Sequence, residues 1–550
     1  MRRNSWHKTL SSRALSRRYG SSTNIHGGHN LRSKLFDYTS GRWLYDEKDQ
    51  LRQRHLDFNV QALIDTASHE LGSRCQGIVK LPEGLYNKVF SLQMEDGRDI
   101  LARLPNPNAG YPDCIVPSEV ATLHFLREIL DIPVPKVLAW SSKDSRPDRL
   151  GAEYILMERV TGRQLAEVWD DMSEKERFGL TKSLVEIERR LLSVKFSAHG
   201  SIFYKETFPD GPTAVNPDQL PGPKQEAALN YVIGPTTERS FFLQRSQCHA
   251  IDRGLWPTAE EYLIAVANRE KFLIENPDEV RLSDGPQLFP RGRTASRNYE
   301  HLQTLDRFLA ILPHILPKAE ITHPVLMHHD LHLDNIFVDA TDPTKISGII
   351  DWQATYASPL FLQARFPSVF NCDEPYPWGA VQPTLPEGFE TFSPAEKKYA
   401  NEALDRLRLK KFYEMASRKF NPDLFRAMDA MRNEADPTTY IFHLVTRSAS
   451  DGPIPLAELL LQIYEQWDRV VEGRQLDDRC PISFTEEEVR EIRRKAEEWA
   501  AAYCEFESLR VEVAGKEGWV RHEEYEEAKE RFDSRREELK ELWCRLERVS

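Results

Sequence analysis

No uninterrupted apolar run in the 550 residues approaches the roughly 20 needed to cross a bilayer, so a transmembrane segment is not expected. Positive charge is also in short supply. Against 86 Asp and Glu stand 73 Lys and Arg, and the net charge of -13 argues against an extended nucleic-acid surface, though not against a local basic site for phosphates. The seven cysteines are odd in number, dispersed and without a Cys-x-x-Cys unit, which suits unpaired thiols in a reducing compartment and not a disulfide framework. Acids are missing from the start of the chain: none precedes Asp37, while Arg2, Arg3, Lys8, Arg13, Arg17 and Arg18 stand among serines. Trp6, Leu10 and Ala14 fall near one side of a helix, and no apolar stretch follows of the kind a secretory signal needs. Residues 1–23 therefore read as a mitochondrial transit peptide pointing to the matrix, with a basic tail as the alternative, and 24–75 as an N-terminal extension.

What is present is the composition of a globular protein, with 40% hydrophobic, 10% aromatic and 29% charged residues. At this length two to four structural units are expected. Between 76 and 160 the pattern is short strands and one helix. "YNKVFSLQM", the turn signal "EDG" and "RDILARL" read as an antiparallel hairpin. The prolines of "PNPNAGYP" end the strand pattern. Ser118 is expected to cap a helix in which Val120, Leu123, Leu126 and Leu130 recur at helical spacing, closed by Pro133 and Pro135. "EYILMERV", Glu153 to Val160, is expected to be an apolar strand. Beyond it, helices are expected around 173–195, 257–274, 298–315, 395–416 and 421–433, with the Pro- and Gly-rich 208–225 as an exposed insertion or mobile flap. Near the carboxyl end Thr485 and Glu488 form a capping box for a helix carrying Val489, Ile492, Ala496, Trp499, Tyr503 and Phe506. A second helix over 523–547 aligns Ala528, Phe532, Leu539, Leu542 and Leu546, which predicts a helical hairpin. Neither stripe lasts long enough to demand a coiled-coil partner.

The densest chemistry lies in "VLMHHDLHLDNIFVD", Val325 to Asp339. His328 and His332 have the spacing of a zinc pair on a helix, but the flanking "PVLM" and "IFVD" are strand-like. A different reading joins Asp330 and Asn335 to a later carboxylate. The turn "ATDPTK" and the apolar strand "ISGIIDWQ" deliver Asp351, so two short strands would hold Asn335 just before one and Asp351 just after the other. An amide oxygen and a carboxylate are hard donors suited to Mg²⁺ beside substrate phosphates. Asp330 would then orient a hydroxyl and accept its proton during phosphoryl transfer.

The series His328-x-Asp330-x-x-x-x-Asn335 followed by Ile350-Asp351-Trp352 resembles the aminoglycoside phosphotransferase and choline kinase-like family of the protein kinase-like fold, over roughly Gln76 to Phe370. The whole chain is similar to fungal mitochondrial proteins of that family. The resemblance implies an α+β bilobal fold: a small β-rich N-lobe at 76–160, a large mainly helical C-lobe with insertions at 161–470, and a C-terminal helical extension at 471–550. It implies ATP and Mg²⁺, and a hydroxyl of a small molecule as acceptor. Carried onto this sequence, it makes Asp330 the catalytic aspartate, His328 a histidine that fixes the catalytic loop, and Asn335 and Asp351 the metal ligands. Gly84 takes the position over the nucleotide phosphates, Arg103 that of the phosphate-binding lysine and Glu119 that of its ion-pair partner. Met157, Glu158 and Val160 border the adenine.

Three positions depart from the protein kinase pattern. A single glycine stands where a glycine-rich loop is usual, which equally suits an ordinary hairpin. Arginine replaces lysine at 103, where its fork still pairs with phosphate but in altered geometry. His329 stands where protein kinases carry arginine, and no Ala-Pro-Glu segment follows Asp351, which disfavours a protein substrate. These departures leave a catalytically inactive nucleotide-binding or interaction protein in mitochondria as the alternative. Elsewhere Arg239, Arg245 and Arg253 lie among aromatics, suiting either an anionic acceptor or a structural surface segment. "PLFLQARFP" reads as a helix beneath the site with Arg365 salt-bridged or facing substrate, and His332 is placed to touch the acceptor. Cys248 and Cys372 have no neighbouring base in the sequence.

Overall fold

Alternate residues of "NKVFSLQM" face opposite sides of a strand, and the face carrying Phe90, Leu92 and Met94 is buried. In the computed structural model, which describes residues 35–142, 150–242, 251–276, 288–289, 295–433, 436–472, 479–515 and 517–549, the small lobe is built around this strand. The basic segment 1–23, Arg245 and Cys248 lie outside the described residues. After the two-residue β1 (Arg42–Trp43), an antiparallel sheet forms from β2 (Cys75–Lys80), β3 (Asn87–Met94), β4 (Asp99–Pro105), β5 (Val137–Ser141) and β6 (Tyr154–Glu158), in the order β2-β3-β4-β6-β5. The expected hairpin is β3–β4, with Val89 opposite Arg103. Leu35, Phe58, Leu63 and Ala67 from the N-terminal segment cover one face of the sheet. On the other side Val120 of the helix Ile115–Glu128 joins Ile155 and Met157 in the large core.

That helix begins at Ile115, so Ser118 is not its cap. Ser118 is buried in the first turn, where its amide donates to Cys114 O at 3.0 Å. Pro117 is tolerated just before it because first-turn amides have no partner within the helix.

Short strands punctuate the large lobe: β7 (Arg163–Gln164), β8 (Ser201–Tyr204), β9 (Tyr231–Gly234), β10 (Pro324–Leu326), β11 (Ile336–Val338), β12 (Ile346–Ile349) and β13 (Ala357–Pro359). β8 pairs with β9, β10 with β13, and β11 with both β12 and β7. The expected helices are Glu174–Leu191, Ala259–Glu275, Ala295–Ile315, Pro394–Phe420 and Pro422–Met431, and Pro437–Thr446 and Ile454–Glu465 add further buried apolar faces. The segment 208–225 is not a free flap. Ala214 and Val215 are buried, Ser197 N donates to Ala214 O at 2.9 Å, and Ala214 N donates to Tyr231 O at 2.8 Å. Ala214, Val215 and Leu220 seat it in the large core.

Within this core Tyr413 donates to both oxygens of buried Glu188, at 2.8 and 2.9 Å, and burial pushes the Glu188 carboxyl up to about 8. A carboxyl raised on folding gives stability that is full below its unfolded value of about 4.3 and is lost as pH rises toward the folded value. Glu188→Gln is therefore expected to flatten the pH dependence of unfolding between about pH 5 and 8, and to stabilise at pH 8 by on the order of a few kcal/mol. Urea titrations of both proteins across that range check this. A parallel slope in the variant would assign the pH dependence elsewhere.

At the carboxyl end Glu486–Ala514 and Tyr525–Val549 form the expected hairpin, with the Thr485–Glu488 capping box in place. Phe506, Leu509, Phe532, Leu539 and Leu546 are buried between them together with Leu44. The connecting β14 (Trp519–Val520) pairs antiparallel with β1, Arg42 opposite Val520, and the Arg42 guanidinium lies 3.6 Å from the centre of the Tyr525 ring. Gly41 makes the approach possible, since a Cβ there would stand 2.5 Å from Val520 O. The six described cysteines are free thiols, and no described helix is long and apolar enough to cross a membrane.

Candidate active site

The segment 327–335 leaves β10, which pairs with β13, and enters β11 of a separate sheet, and its three histidines point to different partners. His328 is half-buried, and desolvation lowers its pKa. Its Nε2 donates to Ile350 O at 2.9 Å, and its Nδ1 accepts the amide of Asp330 at 3.2 Å. One imidazole thereby ties the Asp330 loop to the residue before Asp351. His329 stacks on Tyr356 at 4.6 Å, and burial, then Arg365, pushes its pKa down to about 3. Arg365 donates to His329 O, so its role in the loop is to hold backbone. The helix below it, Leu360–Gln363, is a single turn.

His332 lies between two carboxylates, with Nε2 3.4 Å from Asp330 Oδ2 and Nδ1 3.3 Å from Asp334 Oδ2. Hydrogen bonds to the Asp330 and Asp334 carboxylates raise its pKa to about 10, and the same contact lowers that of Asp330. Asp330 is thus an ionised carboxylate, 68% exposed at the side chain and open to the cleft. Because His332 is raised on folding, its ion-pair contribution is complete below the free imidazole value of about 6.5 and disappears as pH climbs through about 10. The ¹⁵N shifts of labelled histidine are expected to report imidazolium at His332 at pH 8 and neutral imidazole at His329 at pH 5. Neutral His332 at pH 8 would remove the cation from this loop.

Asn335 and Asp351 arrive by the route the strand spacing predicts. β11 and β12 pair with Ile336 opposite Ile349, and the amide of Ile350 donates to Asn335 O at 3.0 Å. The Asn335 side-chain nitrogen donates to Asp330 O at 2.9 Å, leaving its amide oxygen for a ligand. Asp351 follows with φ +65°, a left-handed conformation that costs a β-branched residue far more than an aspartate, and its side chain is 43% exposed. The amide oxygen of Asn335 and the exposed carboxylate of Asp351 form a hard-oxygen set that fits Mg²⁺ with phosphate oxygens completing its shell. The histidines, each turned to a different partner, do not make a shared nitrogen site.

From the small lobe Arg103 reaches both acids. One arm of its fork is bonded to Glu119 and the other donates to Asp351 Oδ1 at 2.8 Å. Burial pushes Glu119 up to about 7 against the opposing pull of Arg103. Gly84 sits in the connection between β2 and β3, where an added Cβ would meet nothing within 4 Å, so this conformation does not itself require glycine. Met157 is buried in β6. The amide of Glu158 donates to Lys136 O at 2.9 Å, and Val160 packs against Gly348, where an added Cβ would approach it to 2.4 Å.

Two features escape sequence reasoning. Glu83, beside Gly84, is buried and bonded to Lys80 Nζ at 2.7 Å, Lys88 Nζ at 3.1 Å and the amide of Thr39 at 2.7 Å, so the N-terminal segment anchors this connection. Asn87 of β3 and Gln353 exchange two amide hydrogen bonds of 3.0 Å across the cleft. Arg239 also donates to Gln353 Oε1, at 3.2 Å, sharing that acceptor with Asn87.

Residues 77–361 match the model of the phosphotransferase enzyme family. The chain belongs to this family. Among curated relatives, this phosphotransferase-family chain is 29% identical over 456 residues to a subtelomeric hrmA-associated cluster protein of Aspergillus fumigatus, a match covering 77% of this chain and 85% of the other. It is 22% identical over 529 residues to the Yarrowia lipolytica protein named altered inheritance of mitochondria protein 9, mitochondrial, covering 90% and 86%. Among solved structures, the macrolide 2'-phosphotransferase MphH from Brachybacterium faecium is matched over 69% of this chain and 97% of that one, at 14% identity and a TM-score of 0.29. The bilobal, kinase-like α+β architecture implied by the motif is the architecture of this family member.

Proposed function

We propose that this chain transfers the terminal phosphoryl group of ATP to a hydroxyl of a small molecule. The observation that carries this is the joint placement of an ionised, exposed Asp330 with Asn335 and Asp351, tied by His328 and by the Ile350–Asn335 hydrogen bond. Asp330 orients the acceptor hydroxyl and takes its proton as the oxygen attacks the terminal phosphorus. The bond from that phosphorus to the bridging oxygen breaks and ADP leaves with the electron pair. Arg103 would turn to the phosphates the arm it gives to Asp351 Oδ1; Met157, Glu158 and Val160 border the base, and the connection around Gly84 covers the phosphates. Asn335 and Asp351 would hold Mg²⁺, which when bound neutralises charge on the phosphate oxygens.

The mitochondrion is proposed as the compartment on two grounds: the acid-free basic N-terminus, and relatives whose names place them there. One contact favours the second reading, a kinase-like protein without turnover: Arg103 is already bonded to Asp351 Oδ1, one of the two proposed metal ligands. The deciding experiment incubates the protein with ATP, Mg²⁺ and a fractionated mitochondrial small-molecule extract, and follows products heavier by one phosphoryl group by mass spectrometry. Such products are expected. ATP binding with no product across the fractions would favour the second reading.

A further inference from the structure

Arg239 is a cation beside the site to which the proposed reaction gives no task. It lies in the short turn Arg239–Phe241 that follows β9, far in sequence from every motif residue. Its guanidinium lies 3.7 Å from the centre of the Tyr86 ring, two residues past Gly84, and bonds Gln353, two residues past Asp351. It therefore touches both segments that flank the proposed phosphate path. Among the described residues no carboxylate is ion-paired with it, and its Nε is buried without a hydrogen-bond partner. Its neighbour Glu238 is engaged elsewhere, accepting from Ser240 and, at 3.0 Å, from Tyr262. Arg239 is also one of the charges that act on Glu119 and His329, which border the site from opposite lobes.

A guanidinium held by an aromatic face and one amide oxygen, with donors to spare, is set up for a phosphate-sized anion. We propose that Arg239 contacts the terminal phosphate of the nucleotide and stabilises the charge carried by its oxygens during transfer. This rests on the phosphotransferase reading above. Arg239 neither gives nor takes a proton; it supplies fixed positive charge, held by the Tyr86 ring and Gln353. The Tyr111 hydroxyl donates to Phe241 O at 2.9 Å, which fixes the turn to the small lobe.

The test is calorimetric titration of the full chain with Mg²⁺ and either ADP or the β,γ-imido analogue of ATP, for the unaltered protein, Arg239→Ala and Arg239→Gln. Glutamine keeps a donor for Gln353 but loses the charge, so one variant remains readable if alanine loosens the turn. Ligand-free melting is recorded alongside. Both variants are expected to bind the triphosphate analogue about ten- to a hundredfold more weakly, and ADP within about twofold of the unaltered protein. Equal loss for both nucleotides would overturn the proposal and make Arg239 a support of the loop. Unchanged binding of both would overturn it in favour of an anionic group on the acceptor or a purely structural stack. An unaltered protein that binds neither nucleotide would instead remove the phosphotransferase reading itself, and this proposal with it.

Discussion

Asp330→Ala is expected to lower turnover by about a hundred- to ten-thousandfold, the range carried by a positioned general base. Folding and nucleotide affinity should remain. The Asp330 side chain is exposed and its loop is held by groups other than its carboxylate: His328 binds its amide and the Asn335 side chain binds its carbonyl. Removing the carboxylate costs His332 one of two acidic neighbours and leaves Asp334. A loss of stability of up to about 1 kcal/mol, the share of the half-exposed His332 pair that Asp330 carries, is expected from urea unfolding. Full turnover of the purified variant would show that the acceptor proton goes elsewhere.

The second large effect is expected at Asp351, and asparagine is the informative replacement. Alanine would have to adopt φ +65° without the short polar side chain that makes this conformation tolerable, mixing a backbone cost with the chemical one. Asp351→Asn keeps the backbone and removes the charge. Arg103 retains its buried partner Glu119, so the small lobe should stay folded. Two outcomes are expected: the gain in ATP affinity on adding Mg²⁺ disappears, and turnover falls by about a hundredfold or more, as when one charged group is withdrawn from a phosphoryl-transfer centre. Titrations with Mg²⁺ and with a chelator, in both proteins, check the first. If the variant kept the full Mg²⁺ dependence, Asp351 would be a partner of Arg103 and nothing more.

The β3–β4 hairpin and the placement of Asn335 and Asp351 around β11 and β12 are legible because each depends on a turn and a few neighbouring residues. The Arg103–Glu119 pair was legible only through the family resemblance, since neither residue carries a local sign of the other. Asn87 and Gln353 show where such reading stops: they are 266 positions apart, and an asparagine in a strand or a glutamine after a tryptophan signals nothing. Glu83 misleads in another way, because an acid in "LPEG" looks solvated, and only the folded chain brings Lys80, Lys88 and Thr39 around it. At Ser118 two local rules compete. The proline before it suggests a break, yet the helix admits proline in its first turn, and burial of Ile115 and Val116 draws the start upstream.

The pairing of β1 with β14 sets an order of events. Arg42 and Trp43 lie early in the chain and meet Val520 and Trp519 only after both lobes intervene, a contact whose loop-closure entropy falls due before any local reward. A ribosome or a translocation pore that delivers the chain amino end first exposes this edge long before its complement emerges. The small-lobe sheet can assemble meanwhile from β2 to β6. The join between extension and hairpin is thus a late event in folding, and a chain stalled short of Trp519 would present Trp43 and Leu44, buried in the finished protein, to chaperones instead.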